Sequence, residues 1–491
     1  MTFNLTDALF RNNYTREQRT AILAPSRHLT FRELRAYVNR ATHWLLRHDL
    51  KPEERVLLIM EDSPELVASF LAVVQAGGVA VPLNPWLPVD DYHFYFQDSR
   101  ARLLITDRES EQLPALTEIQ ILKSSSIWDL SPEDDFFREI LTLADDAAFW
   151  LYSSGSTGRP KAVVHAQTDL IASCDSYGHE ILGILPHDVL FSTAKIFFAY
   201  GLGNSLAFPI YFGASVVLDP QRTTPERITE IFRRYRPTIF FSVPSFYSRL
   251  LTAPTDLELK SLRLCISAGE HLPVEVFQRW KETTGLEIID GLGTTEMTHI
   301  FISNRQGACK AGSSGRKVPG YDTRITNDLG SRLPPYEIGN LMVSGDSAAL
   351  YYWHNREKTR EIFQGRWVLT GDKYYVDDEG YYYFSGRADD LFKVGGAWVV
   401  PRDVENALLT HKAVREAAVV GIRGENGLVK AHAYVVLKDG HSSEGMDLRL
   451  SQHLKSSQLQ GYMIPRAFHF VGELPRTFTG KVQRFKLREQ I

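Results

Sequence analysis

Residues 152–161 read Tyr152-Ser153-Ser154-Gly155-Ser156-Thr157-Gly158-Arg159-Pro160-Lys161. An apolar, strand-like run over 147–151 precedes this turn, and a helical pattern begins near Thr168. The Ser/Thr hydroxyls donate hydrogen bonds, the glycines allow close backbone approach and the lysine adds charge, a combination that suits a polyphosphate. The stretch is not the P-loop of mononucleotide NTPases, which has four residues between its glycines and Lys directly after the second. Here only Ser156 and Thr157 separate Gly155 from Gly158, and Arg159-Pro160 precedes Lys161. A Ser/Gly-rich surface turn is the plain alternative.

Outward from that turn, the first 110 residues alternate helical and strand patterns. Thr30 heads an amphipathic helix over 30–45, and Glu33 completes a capping box. Strand-like runs fall at 55–60, 78–83 and 103–106, with a helix over 63–75. The rhythm recurs at 216–218, 238–242, 264–267 and 287–290, which predicts a parallel sheet with helices on both faces. Beyond about residue 330, the runs 339–344, 366–370 and 381–385 predict antiparallel hairpins, with Asp378-Glu379-Gly380 as a turn. The last hundred residues predict a small α+β unit: a helix over 401–411 led by Pro401, strands at 417–422 and 432–437, and a helix over 447–458. The fold class expected is α/β, with a large N-terminal domain (1–388) of mixed, mainly parallel sheets with flanking helices and a β-rich subdomain. A small α+β C-terminal domain (389–491) follows. The segment 109–135, acidic and weakly patterned, is predicted to be a surface excursion.

Composition narrows the function classes. A chain of 491 residues, 44% hydrophobic and 23% charged, matches an ordinary globular protein, about three units at roughly 150 residues each. A net charge of −4 lacks the basic excess of a nucleic-acid binder. Cys174, Cys265 and Cys309 form no CxxC or Cys/His ladder, which argues against disulfides or zinc. The N-terminal residues contain no apolar signal core, so a cytoplasmic enzyme is expected. The uncharged stretch 196–218 has the length of a membrane span, yet Gly201, Gly203, Asn204, Ser205, Pro209, Gly213 and Ser215 interrupt it. A buried loop, helix and strand is the reading it supports, with no membrane partner.

Further motifs extend the phosphate signal. Ser267-Ala-Gly-Glu270 ends one strand and Asp290-Gly-Leu-Gly-Thr-Thr-Glu296 the next; Thr370-Gly-Asp372 closes a hairpin strand. Gly386-Arg-Ala-Asp-Asp390, Lys393-Val-Gly-Gly396 and Pro475-Arg-Thr-Phe-Thr-Gly-Lys481 follow. In this order the motifs resemble the adenylate-forming superfamily, which includes acyl- and aryl-CoA ligases, carrier-loading adenylation domains and firefly luciferase. The resemblance spans essentially the whole chain.

What the resemblance implies is specific. Ser153, Ser154, Ser156 and Thr157 would close on the β- and γ-phosphates of ATP, with Lys161 assisting. Glu296, beside Thr295, resembles the carboxylate associated with Mg²⁺; hard cations prefer such oxygen donors. Its plain alternative is a carboxylate satisfying a helix N-terminus. Ala268, Gly269 and Glu270 would flank adenine, with Asp290, Gly291, Leu292 and Thr294 on the neighbouring strand end. Asp372 resembles the carboxylate that accepts the ribose hydroxyls, and Arg387 the arginine reaching the ribose or phosphate. Lys481 resembles the mobile lysine that stabilises charge at the α-phosphate; the alternative is a solvated lysine in a tail with Arg484, Lys486 and Arg488. Lys393, Gly395 and Gly396 would line the thiol channel for CoA. Asp389 matches the hinge on which the family's small domain moves.

Two segments narrow the acid. Lys195-Ile-Phe-Phe-Ala-Tyr-Gly-Leu-Gly-Asn204 and Gly293-Thr-Thr-Glu-Met-Thr-His-Ile-Phe-Ile-Ser-Asn304 resemble benzoate-CoA ligases. Ala199, Gly201, Gly203 and Gly293 are expected to leave space, while Phe198 and Tyr200 wall a flat slot and His299 touches the ring or simply packs. Phe198 stands where relatives carry a gating His or aromatic residue. The stretch between Arg108 and Leu143 is compact for this subfamily, and Thr294 stands where Ser is frequent. The expected function is ATP-dependent conversion of a benzoate-like acid to its adenylate and then to aryl-CoA. A rival is loading of a separate carrier protein, and the oligomeric state, including a homodimer, stays open.

Overall fold

The computed structural model describes residues 2–114, 119–132, 135, 142–154, 159–253, 257–387, 390–394, 397–424, 428–457, 459–476 and 482–489. The chain divides into two compact units, one of residues 1–323, 342–369 and 378–382, the other of 324–341, 370–377 and 383–491.

Two sheets build the first unit. The nine-stranded sheet runs parallel through Ile288–Gly293, Leu264–Ser267, Ile239–Ser242, Val189–Ser192, Ser215–Val217 and Thr20–Leu23. Ile300–Ser303 and Arg316–Lys317 extend one edge antiparallel, and His28–Thr30 the other. Ile239–Ser242 and Leu264–Ser267 are buried at every position, which is why they read as continuous apolar runs and not as alternating ones. Helices Pro225–Tyr235, Pro244–Thr252 and Val274–Thr284 bury Ile228, Phe232, Tyr247 and Trp280 against Phe191 and Phe240. The stretch 196–218 forms helices Ala199–Leu202 and Phe208–Phe212 around a π-helical turn, Gly203–Ala207, before strand Ser215–Val217. Among the described residues no helix is long and apolar enough to cross a membrane.

The seven-stranded sheet has the order Tyr351–Tyr352, Pro160–Ala166, Ala147–Ser154, Val79–Leu83, Arg55–Ile59, Leu103–Thr106, Gln120–Lys123. Two of its strands correct the sequence reading. Gln120–Lys123 lies inside the expected surface excursion; as an edge strand it buries only Leu122, so its pattern is faint. Pro160–Ala166 follows the hydroxyl-rich turn directly, so that turn joins a β-hairpin, and the helix Asp169–Ser173 comes after the second strand. The Thr30 capping box forms as expected: Glu33 N donates to Thr30 Oγ1 (3.2 Å) and Thr30 N to Glu33 Oε2 (2.8 Å).

A third sheet has five strands, Asp322–Thr326, Gly339–Ser344, Trp367–Val376 and Phe363–Gln364 in order, with Tyr382–Arg387 also paired to Trp367–Val376. Thr370-Gly371-Asp372 sits in the middle of that long strand and not at its end. Gly371 has φ +76, a conformation that interrupts a strand locally and that side chains resist.

In the second unit, Val414–Arg423, Val429–Leu437 and Ala467–Phe470 form a three-stranded sheet. Pro401–Leu409 and Met446–Lys455 cover one face through Val404, Leu408, Leu450 and Leu454. Leu474 and Leu487 cover the other through Tyr434 and Val436. A charged network joins its ends. Arg484 Nη2 donates to both oxygens of Glu405 (2.8 and 2.9 Å), and Arg484 Nη1 and Arg488 Nη2 reach Asp390 (3.3 and 2.9 Å). Glu405 Oε1 also accepts Val419 N (2.8 Å) from the sheet. Removing one partner of such a pair strands the other charge, so Arg484→Met is expected to destabilise this unit by about 3 kcal/mol. Hydrogen exchange of peptides covering Val414–Arg423 should accelerate accordingly. Adding Glu405→Gln, which removes the charge and keeps the acceptor for Val419, should restore most of the protection.

Candidate functional site

The strand ends of the first unit gather most of the expected residues it holds. Ser153 pairs with Lys161, and Ser154 with Pro160, across the hairpin. Lys161 Nζ lies 4.5 Å from the centre of the Tyr352 ring, a cation–π contact. The Tyr352 hydroxyl donates to Glu296 Oε1 at 2.6 Å. Tyr352 therefore connects the ammonium and the carboxylate. No motif in the sequence marked it; it arrives on a two-residue strand paired with Pro160–Ala166, 56 residues beyond Glu296.

Glu296 itself lies in the 3₁₀ turn Thr295–Met297, directly after strand Ile288–Gly293. Thr295 O accepts from His165 Nε2 (2.9 Å), Glu296 O from Ala349 N (2.8 Å) and Met297 O from Ser347 Oγ (2.9 Å). On the adjoining strand end, Ala268 is buried and Gly269 has φ +84. Glu270 accepts from Ser245 N (3.1 Å) and Ser245 Oγ (3.2 Å) at the start of helix Pro244–Thr252. Asp290 lies buried within the next strand, with its carbonyl accepting from Asn304 N (2.9 Å), and Gly291 packs against Ile300. Leu292 pairs with Ile302 across the same hairpin.

The segment expected to hold the acid departs from an open slot. A Cβ on Gly201 would stand 2.0 Å from Lys195 O; on Gly203, 2.4 Å from His299 Cδ2; on Gly293, 2.5 Å from His299 O. The space beside these glycines is filled, and they serve close approach of helix, strand and histidine. The walls are aromatic instead. His299 stands between Phe208 (4.7 Å between ring centres), Tyr177 (5.2 Å) and Tyr200 (5.4 Å). Phe198 packs on Phe197 at 4.4 Å, and Ala199 begins the helix Ala199–Leu202. His299 Nε2 donates to Asn204 Oδ1 (3.0 Å), an orientation supported by Asn204 Nδ2 donating to Ser192 Oγ (3.3 Å). The Nδ1 of His299 has no hydrogen-bond partner among the described residues. Burial lowers the His299 pKa from 6.5 to about 3, opposed by a backbone hydrogen bond at Tyr200.

In the second unit Arg387 Nη1 donates to Asp372 Oδ1 (2.9 Å); Asp372 is buried and Arg387 half-exposed. Lys393 lies exposed on the hairpin Phe392–Val394 with Ala397–Val399. Ser156, Thr157, Asp389, Gly395, Gly396 and Lys481 lie outside the described residues.

The donor set fits a nucleotide with its metal. The Ser153 and Thr294 hydroxyls are buried without a hydrogen-bond partner among the described residues, groups that costly desolvation would disfavour unless a ligand satisfies them. Among the described residues no cluster of three His, Cys, Asp or Glu could hold a metal by itself. A lone carboxylate, Glu296, suits Mg²⁺, which keeps waters and takes ligands from substrate phosphates.

Residues 9–353 match the family model of the AMP-binding enzyme, and residues 403–481 match that of the AMP-binding enzyme C-terminal domain. The chain is 42% identical to the benzoate–CoA ligase of Thauera aromatica, over 99% of this chain and 96% of that relative. Among solved structures it is similar to a benzoate CoA ligase from Burkholderia xenovorans LB400, with 40% identity, a TM-score of 0.88 and coverage of 99% and 100% of the two chains. It is likewise similar to the anthranilate CoA ligase AuaEII in complex with anthranoyl-AMP, with 39% identity, a TM-score of 0.89 and coverage of 100% and 97%.

The His299 shift makes a checkable statement about stability. In the unfolded chain the imidazole takes up a proton near pH 6.5, whereas the folded chain refuses it until about pH 3. The unfolded state thus binds the extra proton between those values, and folding stability falls as pH drops below 6.5. His299→Gln removes that dependence. The stability difference between the parent chain and the variant, read from urea midpoints, is expected to shrink from pH 7 to pH 5.

Proposed function

Because the chain belongs to the AMP-binding enzyme family, we infer that it is an AMP-forming ligase joining a benzoate-sized aryl acid to CoA. The observation that carries this reading is the end-to-end likeness to benzoate–CoA ligase, 42% identity over 99% of the chain. An acid carboxylate oxygen attacks the α-phosphorus of ATP and expels pyrophosphate. The CoA thiolate then attacks the acyl-adenylate carbonyl and AMP leaves.

Each half-reaction asks for particular groups. Ser153, Ser154, Ser156, Thr157 and Lys161 hold the β- and γ-phosphates. Asp372 accepts the ribose hydroxyls, and Arg387, paired to it, orients that carboxylate and faces the nucleotide's charge. Glu296, together with phosphate oxygens, would hold Mg²⁺, which when bound would supply positive charge beside the phosphates. The Tyr352 hydroxyl aims the Glu296 carboxylate, and the Lys161 ammonium rests on the same ring. Lys481 neutralises charge building at the α-phosphate. His299, neutral at working pH, joins Tyr200 and Phe198 as an uncharged wall, a surface suited to a flat aromatic ring. Lys393, Gly395 and Gly396 guide the thiol, and rotation at Asp389 separates the two steps, since pyrophosphate must leave before the thiol enters. With free thiols at its three cysteines and substrates abundant inside cells, we place the enzyme in the cytoplasm.

A panel of benzoates, heteroaromatic acids and fatty acids, assayed for AMP release with and without CoA, tests the reading. Benzoate-sized acids should exceed octanoate, with thioester formed on free CoA. Equal or better turnover of long-chain acids would sink the aryl assignment, and thioester formed only on a carrier-protein thiol would replace CoA as the acceptor. Glu296→Gln keeps the size of the side chain and removes its charge. It should slow Mg²⁺-dependent pyrophosphate exchange at least about tenfold, roughly 1.4 kcal/mol of barrier. An unchanged exchange rate would take Glu296 out of the site.

A further inference from the structure

Strand Pro160–Ala166 places Lys161 and His165 on one face, since alternate strand residues share a side. His165 is fully buried and lies flat on Phe149, with ring centres 4.8 Å apart and planes 9° from parallel. Its Nε2 reaches the Thr295 carbonyl at 2.9 Å. A carbonyl only accepts, so Nε2 donates to it. Nδ1 lies 2.9 Å from Asp169 Oδ2, which also accepts Ala166 N at 3.1 Å; a hydrogen bond there needs a second proton shared between Nδ1 and the Asp169 carboxyl, whose pKa burial raises. The carboxylate side chain thus fixes the ring's rotation, in the manner of groups that orient a histidine from behind.

Asp169 starts the short helix Asp169–Ser173, whose other end meets the same turn. Ser173 Oγ bonds Thr298 Oγ1, and Thr298 Oγ1 donates to Met297 O at 2.7 Å. Thr298 has φ +59 and ψ −44, positive φ in a β-branched residue. Such a backbone costs on the order of 1–3 kcal/mol and persists only where its surroundings hold it. The Thr295–Met297 turn is therefore held on both sides, at Thr295 by His165 of the strand, which Asp169 of the helix orients, and at Thr298 by Ser173 of the helix.

We propose that His165, oriented by Asp169, and Ser173 are positioning residues that fix the Thr295–Met297 turn, and hence Glu296, before nucleotide and metal arrive. The inference rests on Glu296 serving the Mg²⁺-bound phosphates. None of the three side chains is expected to touch the acid, ATP or CoA.

Two substitutions at His165 separate positioning from packing. His165→Phe keeps the flat ring on Phe149 and loses the donor; His165→Gln keeps an N–H that can reach Thr295 O. Orienting groups behind a metal ligand typically carry 10–100-fold in affinity or activity. In His165→Phe the Mg²⁺ concentration for half-maximal pyrophosphate exchange should rise about tenfold or more, with the KM for benzoate within about twofold. Calorimetric titration gives a readout without turnover: the tightening of ATP binding by Mg²⁺ should shrink, while AMP binding without metal stays as in the parent chain. Thioester formation from supplied benzoyl-adenylate should continue at the parent rate. His165→Gln should recover most of the Mg²⁺ response. Should His165→Phe not fold, Ser173→Ala carries the same expectations from the other end of the helix.

The proposal is overturned if benzoate KM, Mg²⁺ response and thioester formation decline together, or if His165→Gln does no better than His165→Phe. Failure of the functional reading looks different. The parent chain would then show no aryl-acid-dependent exchange, while calorimetry with Mg²⁺ and ATP would still report on the turn.

Discussion

The antiparallel pairing of Ala147–Ser154 with Pro160–Ala166 sets the positions on which the site depends. Its register puts Ser153 opposite Lys161 and Phe149 opposite His165. Because side chains alternate faces, a slip of one residue would turn Lys161 away from Tyr352 and His165 away from Thr295. The same strand pairs on its far side with Tyr351–Tyr352, Tyr352 opposite Val163, which brings the phenol between Lys161 and Glu296. Main-chain pairing thus aligns the three strands, and the side chains of His165 and Tyr352 then reach from them to the Thr295–Met297 turn. Phe149 and Trp150 on the first strand, and Val163, Val164 and His165 on the second, are buried on both faces of the pair, so the register is carried by the specific contacts of these side chains and not by an apolar-in, polar-out alternation.

The other side of the turn obeys a packing constraint of a different kind. His299 is pressed between aromatic rings, and glycines at 203 and 293 admit its ring and backbone. A charged imidazole there would lack solvent, and burial holds it neutral. On the proposed reading, this uncharged aromatic wall is the surface for the ring of the acid. Charge and apolar surface are thus separated within a few residues: Glu296 and Lys161 on one side, His299, Tyr200 and Phe208 on the other.

Much of this was legible before any coordinates. Parallel strands buried on both faces announce themselves as apolar runs, and strand ends rich in Gly, Ser and Thr mark where a ligand approaches. The capping box at Thr30 and the break-up of 196–218 follow from local chemistry and appear as expected. The contacts that the sequence does not announce share a physical character. Tyr352, His165 and Ser347 act through hydrogen bonds or ring contacts spanning long sequence separations, and nothing in their neighbours signals the partner. Gly201, Gly203 and Gly293 suggest space in a sequence, yet the direction of the missing Cβ decides whether space exists, and in the fold it points into neighbours. Thr370-Gly-Asp reads as a strand end in the sequence, whereas the strand Trp367–Val376 resumes beyond the local break that the positive φ of Gly371 makes. The bond from Ser245 N to Glu270, across 25 residues, is likewise a contact that no local pattern announces.

Within the second unit, the ion network has a mechanical meaning on the proposed reading. Asp390 follows the proposed hinge residue by one position, and Arg484 follows Lys481 by three. Arg484 and Arg488 both bind Asp390, and Arg484 binds Glu405, whose carboxylate is anchored in turn to the sheet at Val419. The bonds to Glu405 are short, partly buried and reach both carboxylate oxygens, a stronger arrangement than an isolated surface pair. The helix Arg484–Arg488 is thereby tied at once to Asp390, at the start of the unit, and through Glu405 to the strand Val414–Arg423. A charged clamp of this kind holds the first and last described segments of the small unit to its sheet, so that loss of either carboxylate would strand a guanidinium and loosen both ends together.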